Sequence, residues 1–155
     1  MLPMLEINER LERVVAPSTT LTLPFEQRRK SRLLVTLDDG SEAALILERG
    51  IILRHGDCLR ASDGQVIEVR AAKESVSIVR ESNTYLILRV CYHLGNRHVP
   101  LQIGQGWLRY QYDHVLDDMV RTLGLTVKHE KASFEPESGA YKKPGPHLHS
   151  HSHEH

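Results

Sequence analysis

Up to about residue 73 the apolar residues come in short runs rich in Val, Ile, Leu and Thr: LTLPFE, SRLLVTLDD, SEAALILERG and QVIEVRAA. Runs of this length between turn residues read as β-strands. Asp39-Gly40 and Asp63-Gly64 fall between them, and glycine takes the positive φ that a tight hairpin requires. His55-Gly56-Asp57 marks a further turn. Several strands at this spacing predict a small barrel or sandwich over residues 1–73.

The pattern then changes. ESVSIVR reads as a strand, but from Ser82 the apolar positions are Leu86, Ile87, Val90, Cys91 and Leu94, one face of an α-helix. Ser82 or Asn83 is placed to cap its start and Gly95 to close its end. VPLQIGQ and WLRYQY predict two strands around the Gly104–Gly106 turn. The helical spacing recurs at Val115, Leu116, Met119, Val120 and Leu123, with Asp113 as N-cap and Gly124 as the stop, before a last strand in LTVKHEKASF. The order β-α-β-β-α-β over residues 74–145 is the ferredoxin-like split βαβ arrangement. The expected fold class is α+β: a small all-β domain, a ferredoxin-like domain and a tail from residue 146. From about Glu135 the segment EPESGAYKKPGP holds too few apolar residues to order itself and reads as a tether.

Composition removes several function classes. The 155 residues carry 20 Lys+Arg against 20 Asp+Glu, and zero net charge argues against a nucleic-acid partner held by bulk electrostatics. No apolar run approaches the ~20 residues of a membrane span. The N-terminus MLPMLEINERLERV has no basic stretch followed by an apolar one, so a signal peptide is not expected and the compartment is read as cytoplasmic. P-loop, GxSxG, HExxH and dinucleotide-binding patterns are missing, and neither Asp38-Asp39 nor Asp117-Asp118 reads as a converging acid–base pair: the first is hairpin chemistry, the second the polar face of a helix. A non-enzyme is expected. Cys58 and Cys91 have no metal-finger spacing and read as buried.

Histidine is where the chain concentrates chemistry. Residues 147–155 read HLHSHSHEH, so five of the ten histidines (His147, His149, His151, His153 and His155) lie in nine positions. Neutral imidazole binds borderline divalent metals, and the alternation with Leu, Ser and Glu is unlike the unbroken run of an affinity tag. In the body, GNRHVP puts His98 on a stiff corner beyond the first helix, because Pro100 keeps Val99 extended. One imidazole holds metal poorly, but a two-fold dimer would set His98 against its symmetry mate. His114 opens the second helix, where the dipole disfavours imidazolium, and a solvent-facing side chain is an equal reading. His55, His93 and His129 are assigned to structure or solvent. Arg28, Arg29, Lys30 and Arg32 form a basic run, read either as a solvated hairpin edge or as a docking patch for an acidic partner.

These residues carry a family likeness. KSRLLVTLDDGSEAALILERG, GDCL, YHLGNRHVPLQI, DHVLDDMVRTLGLTV, FEPESGAY and the histidine-rich end together resemble the urease accessory protein E family, the urease nickel metallochaperones. The likeness spans most of the chain. It implies an N-terminal β domain similar to the peptide-binding module of heat-shock 40 chaperones, and a ferredoxin-like metal domain that dimerises. It implies His98 paired with its mate around one Ni(II), with tail histidines as further ligands. Some members carry His-x-His where this chain has Tyr112-Asp113-His114, which leaves His114 without a histidine neighbour. The implied function is nickel delivery to apo-urease, with the urease accessory GTPase and the other accessory proteins as partners. Zn(II) and Cu(II) are competing metals. The competing readings are a passive metal buffer that uses the tail alone, and a metal-dependent enzyme.

Overall fold

The computed structural model describes residues 4–139. The chain divides into two compact units with the boundary between Ala71 and Ala72.

The first unit contains β1 (Leu5–Arg10), β2 (Thr19–Leu23), α1 (Phe25–Arg28), β3 (Arg32–Thr36), β4 (Glu42–Ile46), β5 (Cys58–Ala61) and β6 (Val66–Ala71). They form one six-stranded sheet in the order β2-β6-β5-β1-β4-β3. The two Asp-Gly hairpins join β3 to β4 and β5 to β6, with Gly40 at φ +93° and Gly64 at φ +89°. In each, the aspartate Oδ1 accepts a backbone N–H two residues on, Ser41 at 2.9 Å and Gln65 at 3.0 Å. The sheet also curls toward closure. Asp38 N–H donates to Thr20 O at 2.9 Å, and the Asp38 carboxylate accepts from the Thr22 hydroxyl at 2.7 Å, so the two edge strands meet. Ile7, Leu21, Leu45, Leu53, Leu59, Ile67 and Val69 are buried within it.

Two features of this unit differ from the sequence reading. The polar-rich segment Leu5–Arg10 is a strand, parallel to β4, and β2 runs parallel to β6; parallel partners far apart in sequence leave no hairpin signature. LTLPFE is not one strand, because Pro24 and Phe25 turn the chain into the single turn of α1.

The second unit contains β7 (Lys73–Arg80), α2 (Thr84–Asn96), β8 (Gln102–Gly104), β9 (Trp107–Gln111), α3 (His114–Thr122) and β10 (Lys128–Ser133). The sheet is antiparallel throughout, in the order β10-β7-β9-β8. The helices bury Val90, Leu94, Leu116 and Val120 against Val79, Leu108 and Tyr110 of the sheet. Asn83 Oδ1 caps α2 by accepting from Tyr85 N at 3.0 Å, and Asp113 Oδ1 caps α3 by accepting from Val115 N at 2.9 Å. Gly104 is required by its neighbour: a Cβ there would lie 2.1 Å from Trp107 Cε2.

The segment after β10 also departs from expectation. Phe134 is fully buried, Glu135 N–H donates to Gln102 Oε1 at 3.0 Å, and Glu137 N–H donates to Leu101 O at 2.8 Å. A strap along β8 therefore precedes any tether. Phe134 supplies the apolar anchor and the backbone supplies the rest, which composition does not reveal.

Asp117 is the buried polar centre of this unit. It is 1% exposed, and Oδ1 accepts from Ser77 Oγ and Tyr110 OH, both at 2.7 Å. Its Oδ2 lies 2.7 Å from His129 Nε2. The expectation that Asp117 sits on a polar helix face is corrected. It lies next to Leu116 and one turn before Val120, on the side of α3 that meets the sheet. Burial alone would raise its pKa, but the hydrogen bonds from Tyr110, Ser77 and His129 outweigh it and hold the carboxyl below its ordinary value. The Tyr110 hydroxyl is pushed upward by burial and then by the adjacent carboxylate.

Since the folded-state pKa of Asp117 lies below the unfolded one, its stabilisation is complete above about pH 4 and is lost as pH falls through the folded value. Thermal melts from pH 6 to 2.5 should show wild type losing Tm below about pH 4, with Asp117→Asn losing less across that window. At pH 7, Asp117→Ala should cost about 3 kcal/mol, since it leaves the Tyr110 and Ser77 hydroxyls buried without their acceptor. A denaturant titration measures that loss.

Candidate metal centre

The end of α2 sets the position of His98. Arg97 is the C-cap, His98 N–H donates to Gly95 O at 2.9 Å, and Val99 N–H donates to Leu94 O at 3.2 Å. This pair of bonds is the Schellman motif, which needs a left-handed residue between them. His98 supplies it, at φ +58°, the one non-glycine residue with positive φ among the described residues. Gly95, expected to close the helix, lies inside it instead. At the end of α3 the same motif places Gly124 at φ +97°, with Gly124 N–H bonded to Arg121 O and Leu125 N–H to Val120 O. The two helices thus end alike, except that one has glycine where the other has histidine. A left-handed conformation costs a non-glycine residue roughly 1–2 kcal/mol, so His98 is a place where local stability is given up. Its side chain is exposed.

His98 stands at the foot of the strap. Leu101, which accepts from Glu137 N–H, is three residues further on. Glu137 is thereby held beside Leu101, which lies within about 10 Å of chain from His98. Residues 147–155, and with them His147, His149, His151, His153 and His155, lie outside the described residues.

His114 is the first residue of α3 and is exposed. Among the described residues no three His, Cys, Asp or Glu side chains gather into a group that could hold a metal, so neither His98 nor His114 belongs to a prebuilt multi-ligand site. Cys91 does not add a thiolate, because burial pushes its thiol upward and keeps it protonated at neutral pH. Cys58 is buried at the start of β5. The remaining histidines are placed by local contacts. His55 Nδ1 accepts from Ala71 N–H at 3.1 Å, and the His93 ring meets Tyr92 edge-on at 5.3 Å. His129 is more than a solvated side chain: it pairs with buried Asp117 and meets the Tyr112 ring edge-on at 4.7 Å.

The basic run is split by α1. Arg28 is fully buried, donating from Nε to Leu23 O and from Nη1 to Leu53 O, each at 3.0 Å. As a member of a docking patch it is corrected: the helical turn directs it inward, where it serves backbone carbonyls. Arg29, Lys30 and Arg32 remain exposed, and Arg29 lies over the Phe25 ring and 3.6 Å from Glu26.

One apolar surface lies on the same helix that positions His98. Tyr85, Leu88 and Tyr92 of α2 are 67%, 62% and 67% exposed, and their i, i+3, i+7 spacing puts them on one face. Among the described residues of the unit nothing covers them.

Comparison with known proteins agrees with this two-part layout. Residues 7–72 match the family model for the N-terminal domain of the UreE urease accessory protein, and residues 74–155 match that for its C-terminal domain. The chain is 59% identical over 138 residues to the urease accessory protein UreE of Alkalilimnicola ehrlichii, covering 89% of this chain and 85% of that protein. It is 52% identical over 153 residues to that of Citrobacter koseri, covering 98% of this chain and 100% of that protein. It is 56% identical over 140 residues to that of Pseudomonas putida strain W619, covering 90% and 87%. With both domain models matched in order across nearly the whole chain, this protein belongs to the UreE urease accessory protein family.

Proposed function

We propose that this protein is a nickel metallochaperone, not an enzyme, that binds Ni(II) as a homodimer and delivers it to apo-urease in the cytoplasm. The observation that carries the reading is the exposed left-handed His98 at the end of α2. The helix end would be more stable with glycine, as α3 has, so a reason other than folding supports histidine there. In this reading the antiparallel second unit is a ferredoxin-like domain. Two such domains meet through the Tyr85–Leu88–Tyr92 face, three exposed large apolar side chains on one side of α2. Symmetry then sets two His98 imidazoles around one metal.

Tail histidines complete the coordination. His147 lies ten residues beyond Glu137, at most about 33 Å of chain. Tethering at that length gives an effective concentration of order mM, enough for ligands to join and leave without a large rearrangement. His114 is a subsidiary ligand. The imidazole-only set holds nickel tightly enough to collect it and loosely enough to release it. It does not exclude Zn(II) or Cu(II), so selectivity comes from availability and from the partner complex. The urease accessory GTPase receives the metal, and the urease apoprotein with its other accessory proteins is the destination. Arg29, Lys30 and Arg32 offer an acidic partner surface a docking point.

Three outcomes test this. In calorimetric nickel titration, His98→Ala should lose the tight site while weaker tail sites persist; an unchanged tight site would indicate a passive buffer that uses the tail alone. His98→Gly should lose the same site yet raise stability by about 1 kcal/mol, because glycine removes the left-handed penalty; a lowered melting temperature would contradict the strain argument. Nickel affinity should fall steeply between pH 7.5 and 5.5, because protons compete with the metal for the imidazole nitrogens. Equal affinity at both values would sink an all-imidazole site.

A further inference from the structure

We propose that the outer edge of β10 is a docking site for an extended segment of a partner protein, which adds to the sheet as a fifth strand. The segment sets an apolar side chain beside Tyr112 and an acidic one, three residues away, beside Lys128 and Arg80. The surface lies wholly within the second unit and draws nothing from the metal-handling reading above.

Strand register decides which backbone groups of β10 are open. Tyr112 N–H donates to Ser75 O and Glu81 N–H to Gly106 O, so the odd-numbered residues of β7 bond toward β9. The even-numbered residues of β7 then bond toward β10, where Val76 pairs with Glu130 and Ile78 with Lys128. Along β10 the same alternation turns the N–H and C=O of His129 and Lys131 outward, away from the sheet. β10 is the last strand on that side, and these groups have no hydrogen-bond partner among the described residues. The other edge differs, because β8 is already met by the strap through Leu101 and Gln102. An edge strand with open donors and acceptors is a template for another chain.

Two clefts flank this edge. The larger, about 380 Å³, is lined by Ser75, Val76, Tyr112, His129, Glu130 and Lys131. It opens on the helix-bearing face, where His129 reaches Asp117, and the half-exposed Tyr112 ring gives it an apolar wall. The smaller, about 180 Å³, is lined by Ile78, Arg80, Thr126 and Lys128. Ser77 bonds Asp117 and Val79 packs with Val90, so Ile78, Arg80 and the paired Lys128 point to the opposite face. The larger cleft lies beside His129 and Lys131, the smaller beside Thr126 and Lys128, three residues earlier. Three is an odd step, so side chains that far apart on an extended segment enter opposite faces. A single added strand fills both clefts.

Charge selects the occupant. Glu130 is held by Arg109 at 3.4 Å and by Arg80 at 3.6 Å, so it does little to repel an acidic segment. Lys128 is exposed and has no ion pair among the described residues, and the Arg80 side chain is 60% exposed. The smaller cleft is therefore cationic and suits a carboxylate. Lysine on an edge strand ordinarily keeps other strands away. Lys131 does not bar this edge, because its ammonium donates to Ser75 Oγ at 2.7 Å and is thereby folded back over the sheet. With two lysines against one glutamate that is already held, β10 suits an acidic segment better than a second copy of itself.

The test is amide hydrogen exchange on the full ¹⁵N-labelled chain with synthetic peptides of one composition at millimolar concentration. STFTVETS carries phenylalanine and glutamate three apart, STEVTFTS carries them three apart in the reverse direction, and STFTEVTS carries them two apart. One of the first two should bind and slow exchange at the His129 and Lys131 amides, leaving those of Lys128 and Glu130, already bonded to β7, unchanged. STFTEVTS should not. Lys128→Gln should weaken the peptide that binds about three-fold, with the melting temperature unchanged. Equal protection by all the peptides contradicts the two-cleft arrangement, and no protection at His129 and Lys131 with any of them overturns the docking edge. Protection that appears without peptide and grows with protein concentration assigns the edge to a second copy of the chain and also overturns the proposal. No readout involves nickel, so failure here leaves the proposed function standing.

Discussion

The chain has to leave α2 and enter β8 within five residues, from Arg97 to Leu101, and everything near the candidate centre depends on how that reversal is made. The carbonyls of Leu94 and Gly95 accept from Arg97 N–H and also from the backbone N–H groups of Val99 and His98, and this second pair of bonds accompanies the left-handed turn at His98. That geometry places Val99 against the apolar core beside Leu94 and aligns Leu101 to bury its side chain and to accept from Glu137. Helix end, sheet edge and strap are thus one connected solution. The imidazole is exposed at the most constrained backbone position of that reversal.

Asp117 plays the corresponding part toward the opposite edge of the same sheet. A carboxylate with 1% exposure would be costly without partners, and here it has two hydroxyls and an imidazole. The network ties α3 to β7 through Ser77, to β9 through Tyr110 and to β10 through His129. It therefore fixes the packing of that helix on three strands and, at its exposed end, orients a histidine. An exposed His98 at a fixed backbone position and the histidine-rich sequence of residues 147–155 are what support the proposed role in carrying a metal ion.

Much of the frame was legible from periodicity. Both main helices carry apolar faces at helical spacing, Asn83 and Asp113 cap them, and both Asp-Gly turns are hairpins because only local φ and side-chain chemistry decide them. What stayed hidden depends on distant partners. β1 and the parallel pairing of β2 need residues far along the chain, and Arg28 gains a role only when Leu23 and Leu53 bring carbonyls to it. Asp117 reads as surface polar until α3 is rotated onto the sheet. Its position between Leu116 and Val120 was the available signal. His98 stood out as a corner residue, but its left-handed backbone did not, because Gly95 looked like the natural stop. Why the helix runs past that glycine to end on histidine is a question the sequence alone does not raise.

The central claim is that His98 forms the tight site across a two-fold axis. Nickel titration of residues 1–146, read by sedimentation and metal counting together, tests it most directly. The account predicts a dimer that binds one tight nickel per two chains. A monomer, one tight nickel per chain, or no tight nickel once the tail is removed would contradict it.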